Sequence, residues 1–336
     1  MTHRLASRRR IVTARNITQA AFALFLAYSG WRFYLFVQHF ATGGASPFVS
    51  RPASVDAFLP LSALVALKAW LGTGILDRTH PAALVFLLTI LGTSLLFKRG
   101  FCSWICPVGT LEEALARLGR RLAGRNFFVP SIIDWLLRTL KYLGMALFLL
   151  FVFAGMSSQE ALAFLNTDYN RVADVMMLYF FTHMGQTTAV VLIALAALSI
   201  PFANFWCRYL CPYGALLGLL AIASPVRLSR NAGQCTSCMK CNRACPNRLE
   251  VARLNHVSSP ECTGCLDCLA ACHQYGAIEL RLPLVRRAVS PWLFPVLVAG
   301  SFLLALAVAQ VAGYWLGDVT STDYAGLIPA AGLAGR

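Results

Sequence analysis

Apolar residues fall in long runs along this chain, and polar residues gather between them. Ile17 to Phe40 is mostly apolar and long enough to cross a bilayer, whose hydrocarbon core takes about 20 helical residues. Two shorter runs follow, Phe58 to Leu76 and Pro81 to Phe97, divided by Asp77-Arg78-Thr79-His80. Further spans are predicted at roughly Ile132 to Met156, Val175 to Phe205 and Pro291 to Leu316. Phe58 to Leu76 differs from the rest: Lys68 stands mid-run, with Pro60, Gly72 and Gly74 towards its ends. A charge at bilayer depth is costly, so this piece is expected to re-enter or to lie along the interface. The predicted fold class is therefore mainly α, a polytopic membrane helix bundle of about five spans plus one partial or re-entrant segment.

Composition agrees, at 58% hydrophobic and 13% charged residues with a mean hydropathy of +0.63. The net charge of +15 orients the bundle. Arg4, Arg8, Arg9, Arg10 and Arg15 precede or open the first span, Lys98, Arg99, Arg117, Arg120, Arg121 and Arg125 follow the run at Pro81, and ten Lys or Arg lie between Arg208 and Arg287. Basic loops stay on the cytoplasmic side, which predicts a cytoplasmic N-terminus and an outward-facing C-terminus. Ser7-Arg8-Arg9-Arg10 weakly resembles a twin-arginine signal, but the following run is too long and aromatic-rich, and an uncleaved first span is expected. Glu112 and Glu113 beside Arg117, Arg120 and Arg121 read as an amphipathic helix at the headgroups. The charge has no stacking-aromatic RNA motif or basic recognition helix beside it, so no nucleic-acid partner is expected. A nucleophile triad, a phosphate-binding glycine loop and a nicotinamide fingerprint are likewise missing from the sequence.

Chemistry concentrates between the last two spans. Cys235-x2-Cys238-x2-Cys241-x3-Cys245 is followed by Pro246, and Cys262-x2-Cys265-x2-Cys268-x3-Cys272 by His273. This is the bacterial ferredoxin run, in which three thiolates wrap one cube and the fourth reaches to the neighbouring cube. Two [4Fe-4S] clusters are predicted, one on Cys235, Cys238, Cys241 and Cys272, the other on Cys262, Cys265, Cys268 and Cys245. Structural zinc gives no reason for a third thiol at the same spacing, and disulfides do not suit a cytoplasmic loop. The predicted organisation is a membrane domain over 1–225, a cytoplasmic bacterial-type 2[4Fe-4S] ferredoxin-like domain over 226–288, and a final span with a short tail over 289–336.

The other four cysteines form a second duplication, Phe101-Cys102-x3-Cys106-Pro107-Val108-Gly109 and Trp206-Cys207-x3-Cys211-Pro212-Tyr213-Gly214. Each copy follows a predicted span, and its proline suits the first turn of a following helix. If the two halves pack about a pseudo-two-fold axis, the four thiols meet at the inner edge of the bundle. A third [4Fe-4S] cluster and a redox-active thiol pair or copper site both remain open here, ahead of plain packing.

These residues together resemble the NosR/NapH-type membrane polyferredoxins, over about Ala53 to Glu279. The resemblance implies an electron-transfer component of the bacterial inner membrane, rather than a stand-alone enzyme. It would relay electrons between a quinone pool or a cytosolic donor and a partner reductase or oxidase system. The Cys-x3-Cys-Pro doublet is also similar to that of CcoG-type oxidase assembly proteins, which implies the alternative of a copper reductase and assembly factor. The flanks are expected to hold neither the periplasmic flavin-binding domain of NosR nor the large C-terminal domain of the CcoG type, and His273 departs from the usual proline. His39, His80 and His183 fall near the outer side on this topology, where a quinol site is a candidate and a haem is not favoured, because none has a helical-spaced histidine partner. His256 and His273 are expected beside the clusters, not as ligands.

Overall fold

A computed structural model describes residues 2–282 and 288–334. The chain is mainly helical. In order, α1 is Thr2–Ala41, α2 Pro60–Thr73, α3 Pro81–Phe97, α4 Gly100–Trp104, α5 Pro107–Ala123 and α6 Ser131–Phe153. They are followed by α7 Ser158–Leu165, α8 Asp168–Arg171, α9 Ala173–Thr182, α10 Gln186–Ser199, a π-helical turn at Trp206–Leu210, and α11 Pro212–Ile222. Then come α12 Lys240–Ala244, α13 Asp267–Ala271, α14 Leu293–Val311 and α15 Ser321–Ala334.

Among the described residues, three helical stretches are long and apolar enough to cross a membrane: Arg10–Ala41, Ser131–Phe153 and Leu293–Val311. The predicted run from Val175 to Phe205 is broken into α9 and α10, which bend by 77° and make a fourth candidate span if taken as one. The break falls at His183, Met184 and Gly185, where polar and glycine residues interrupt the apolar run. The run at Pro81 forms the 17-residue α3, near the lower length limit for a span. Arg286, Arg287 and Arg336, which weigh in the charge reading, lie outside the described residues.

The chain divides into two compact units. The first is Met1–Ala23, Ile90–Met145 and Leu192–Leu303, and it contains every cysteine. It carries a four-stranded antiparallel sheet in the order β2-β1-β3-β4, from β1 Arg227–Arg230, β2 His256–Val257, β3 Ile278–Arg281 and β4 Ala288–Val289. Leu228 is the hinge of its register, opposite Val257 on one side and Leu280 on the other. The ferredoxin-like stretch thus shares one compact unit with helices predicted for the membrane domain.

The second unit is Leu24–Thr89, Ala146–Val191 and Leu304–Arg336. Its apolar core gathers Phe33, Phe36, Val37, Val175, Tyr324 and Ile328. Beside that core lies a buried charge network. Arg51 donates to Asp174 at 2.7 Å and also pairs with Asp56. His80 directs Nε2 to the Asn170 carbonyl at 2.8 Å and Nδ1 to Asp56 at 3.1 Å.

Candidate metal centres

The two ferredoxin runs fold as near copies. Ser237 and Gly264 take positive φ at matching places, as do Met239 and Leu266, the residues that precede α12 and α13. Cys245 and Cys272 end those helices with closely similar dihedrals, φ −75° and ψ 116° against φ −76° and ψ 120°. Left-handed residues turn successive N–H groups inward, which makes a concavity for anions such as sulfide and thiolate. Holding non-glycine residues there costs about 1–3 kcal/mol each, a strain typical of functional loops.

Each copy closes on the other's last cysteine. One cavity has Cys235, Cys238, Cys241 and Cys272 in its wall, with Arg230, Lys240 and Ile278. A second has Cys245, Cys262, Cys265 and Cys268, with Leu228 and Val257. Each set has two buried cysteines, Cys241 and Cys272 in the first and Cys262 and Cys268 in the second, but only the first, the outer set, has an exposed one, Cys238. In the outer one the Ser237 N–H and the nearby Arg230 draw the Cys235 thiol below its usual range. In the inner one burial pushes the Cys245, Cys262, Cys265 and Cys268 thiols up, so metal binding there must release protons.

Side chains from the helices clamp the inner loop. Ser103 donates to the Thr263 carbonyl at 2.6 Å, and Trp104 to the Gly264 carbonyl at 3.1 Å. Arg15 donates to the Cys265 carbonyl at 2.8 Å and to Asp267 at 2.9 Å, and also pairs with Glu113 at 2.6 Å. These contacts account for an arginine at the start of an apolar helix that is only 2% exposed.

The Cys-x3-Cys-Pro repeats also fold alike. Cys106 donates its N–H to Phe101 O at 2.9 Å and Cys211 donates to Trp206 O at 3.0 Å, the same five-residue closure. Both cysteines are then N-caps of helices whose first residue is the proline, where a missing N–H costs nothing. The four thiols sit close enough to act on one another. Burial and then crowding by Cys102 push Cys106 up to about 12, and burial and then the other three raise Cys207.

Arg99 supplies the compensating charge. It is 3% exposed; burial opposes its charge, but Cys102, Glu261 and Cys207 outweigh that and raise its pKa. Its Nε has no hydrogen-bond partner, an orphan donor near Cys102, Cys207 and Cys211 that fits an anionic group held among the thiols. Arg99 also meets Glu261 at 3.4 Å, and Glu261 is held by the fully buried Lys141 at 2.7 Å. Glu261 immediately precedes Cys262, so this network joins the third thiol set to the inner ferredoxin loop.

The all-thiol donor sets at the two ferredoxin runs fit an iron-sulfur cube, and the four thiols of the Cys-x3-Cys-Pro repeats offer the same donor type. Among the described residues, the one set of three metal-binding atoms within 4.8 Å of one another is Asp56, His80 and Asp174, and Arg51 already occupies both of those carboxylates. The histidines do not converge: His39 contacts Ser46 O and the Phe40 and Phe48 rings, His183 contacts Tyr179, and His80 is committed to Asp56 and Asn170. His273 Nδ1 is buried without a partner next to Cys272. The Glu261 and Arg15 networks carry no spacing signal in the sequence; their trace is a lone charge in an apolar run.

Comparison with known proteins bears on these same segments. A family described as a 4Fe-4S binding domain matches twice, at residues 79–126 and 184–231, once on each Cys-x3-Cys-Pro repeat. A 4Fe-4S dicluster domain matches residues 227–273. Over its length the chain is 38% identical to the "Putative electron transport protein YccM" of Escherichia coli (strain K12), covering 98% of this chain and 93% of that one. It is 32% identical to the regulatory protein NosR of Pseudomonas aeruginosa over 45% of this chain and 21% of NosR. With the ferredoxin-type protein NapH of Haemophilus influenzae it shares 28% identity over 50% of this chain and 56% of NapH. No solved structure matches. Candidate membrane helices, two kinds of 4Fe-4S domain and near-complete coverage of an electron-transport relative lead to one assignment: the chain belongs to the NosR/NapH-type family of membrane ferredoxin-like proteins.

Proposed function

We propose that the chain carries three [4Fe-4S] clusters and relays electrons between a quinone pool or a cytosolic donor and a partner redox system. Cys235, Cys238, Cys241 and Cys272 hold the outer cluster, Cys245, Cys262, Cys265 and Cys268 the inner one, and Cys102, Cys106, Cys207 and Cys211 the third. A bound cube supplies a one-electron couple. The chain's part is to ligate, to set exposure, and to place Arg99, Lys141 and Arg15 against the charge of the thiolates. On the positive-inside rule the N-terminus and all three sites lie on the cytoplasmic side of the inner membrane, and the C-terminus on the other.

The carrying observation is that two half-repeats, 105 residues apart from Cys102 to Cys207, bring four thiols to act on one another, three of them on one buried arginine, and each match a 4Fe-4S binding domain. That description favours a cluster over the copper-handling reading of the same thiols. The test is iron and acid-labile sulfide on anaerobically purified protein. About twelve irons per chain are expected in the wild type, and about eight after Cys102→Ser with Cys207→Ser. A double variant with undiminished iron, or a wild type with about eight irons and stoichiometric copper, would overturn the third cluster.

A further inference from the structure

The outer ferredoxin cavity is built differently from the inner one on the side that faces solvent. Arg230 and Lys240 stand in its wall, and Arg243 donates to the Cys238 carbonyl at 3.2 Å. The inner cavity has no charged residue in its wall. From Arg227 to His256 the sequence holds six arginines or lysines and one acid, Glu250, and that acid is already paired with Arg253 at 3.1 Å. Lys240 and Arg243 are exposed, as are Thr236, Ser237 and Cys238. Tyr275, next to Gln274 of the cavity wall, is 68% exposed.

We propose that this face docks an acidic, soluble one-electron carrier protein. The inference rests on the cluster reading above, which gives the site at the exposed Cys238 an electron to exchange. Carrier encounter gains most from opposite charge at the rim, and a small contact with one aromatic anchor suits a transient redox complex. Anionic lipid is the other chemistry that basic residues attract, but these cations crowd the mouth of the exposed cavity. The apolar-faced α5, with Leu111 and Leu122 exposed beside Arg120 and Arg121, is the better lipid contact.

The experiment uses the full chain in nanodiscs of neutral lipid and an acidic flavodoxin as the probe carrier. Binding of the oxidised flavodoxin, and its anaerobic one-electron reduction to the semiquinone by the dithionite-reduced, desalted chain, are both measured against ionic strength, for wild type and for Lys240→Glu with Arg243→Glu. The wild type is expected to bind and exchange electrons with both falling steeply as salt rises, and the variant to be weaker by about tenfold or more. A basic cytochrome should show the opposite preference. Equal binding by wild type and variant overturns the proposal. So does no binding in neutral nanodiscs combined with protection of Lys240 and Arg243 from acetylation by phosphatidylglycerol alone, which would make the face a lipid contact. Iron is assayed on the same samples: an iron-free wild type would defeat the cluster reading while the binding arm still reads the surface.

Discussion

Glu261 shows how single residues couple sites that are far apart in the chain. Its carboxylate takes Lys141 and Arg99, its own carbonyl accepts from Asn247 at 2.8 Å, and its neighbour is Cys262. Removing one partner of a buried ion pair strands the other and costs about 3–5 kcal/mol. Lys141→Ala is therefore expected to lower the thermal midpoint in detergent sharply, and Lys141→Met with Glu261→Gln to lower it less. A paired variant as damaged as the single one would show that the pair itself is not the source. Gly264 gives a second test, because a Cβ there would lie 2.8 Å from Phe294 Cζ and its φ is +64°. Gly264→Ala is expected to cost about 1–3 kcal/mol and reduce iron at the inner site. Ser237→Gly, at the matching place with φ 51°, should be neutral or stabilising, as read by iron content and unfolding temperature.

At the scale of elements, duplication was legible in the sequence and asymmetry was not. The prolines after Cys106 and Cys211 announce helix starts, and the structure begins α5 and α11 there. What spacing cannot show is how tightly each copy is filled. A Cβ on Gly109 would stand 2.1 Å from the Cys102 backbone carbonyl, whereas on the equivalent Gly214 the nearest atom is the end of the Arg99 side chain at 2.9 Å. Backbone cannot yield as a guanidinium can. Gly109→Ala should therefore strip iron from the third site far more than Gly214→Ala, and equal losses would contradict the difference. The apolar runs marked the helices, but the 77° break between α9 and α10 depends on packing that a hydropathy pattern does not carry. Lys141 stands inside the apolar run from Ile132 to Met156, yet it is fully buried against Glu261. The partner lies 120 residues away, beyond any local pattern.

For the molecule as a whole, the two units carry different chemistry: thiols in one, and in the other a polar network of Arg51, Asp56, His80 and Asp174 with Asp77 near by. Burial works against the charge on His80, but the hydrogen bond and the charge of Asp56 raise its pKa above 6.5. That stabilisation is complete below 6.5 and lost as pH rises through the raised value. Burial would raise Asp56, but Arg51 and His80 hold it below 3.8, so its contribution is present above 3.8 and lost as pH falls through the lowered value. Asp77 acts in the opposite sense, its pKa raised by burial. Protection from hydrogen exchange over residues 53–58, relative to the intrinsic rate at each pH, should be greatest between these limits, and His80→Ala should remove the alkaline loss of protection. An alkaline limb unchanged in the variant would assign it to another group. The most direct test of the central claim is EPR and metal analysis of anaerobically purified protein reduced by dithionite. Cubane signals with iron and sulfide in equal amounts are expected, and stoichiometric zinc with no iron would contradict the account.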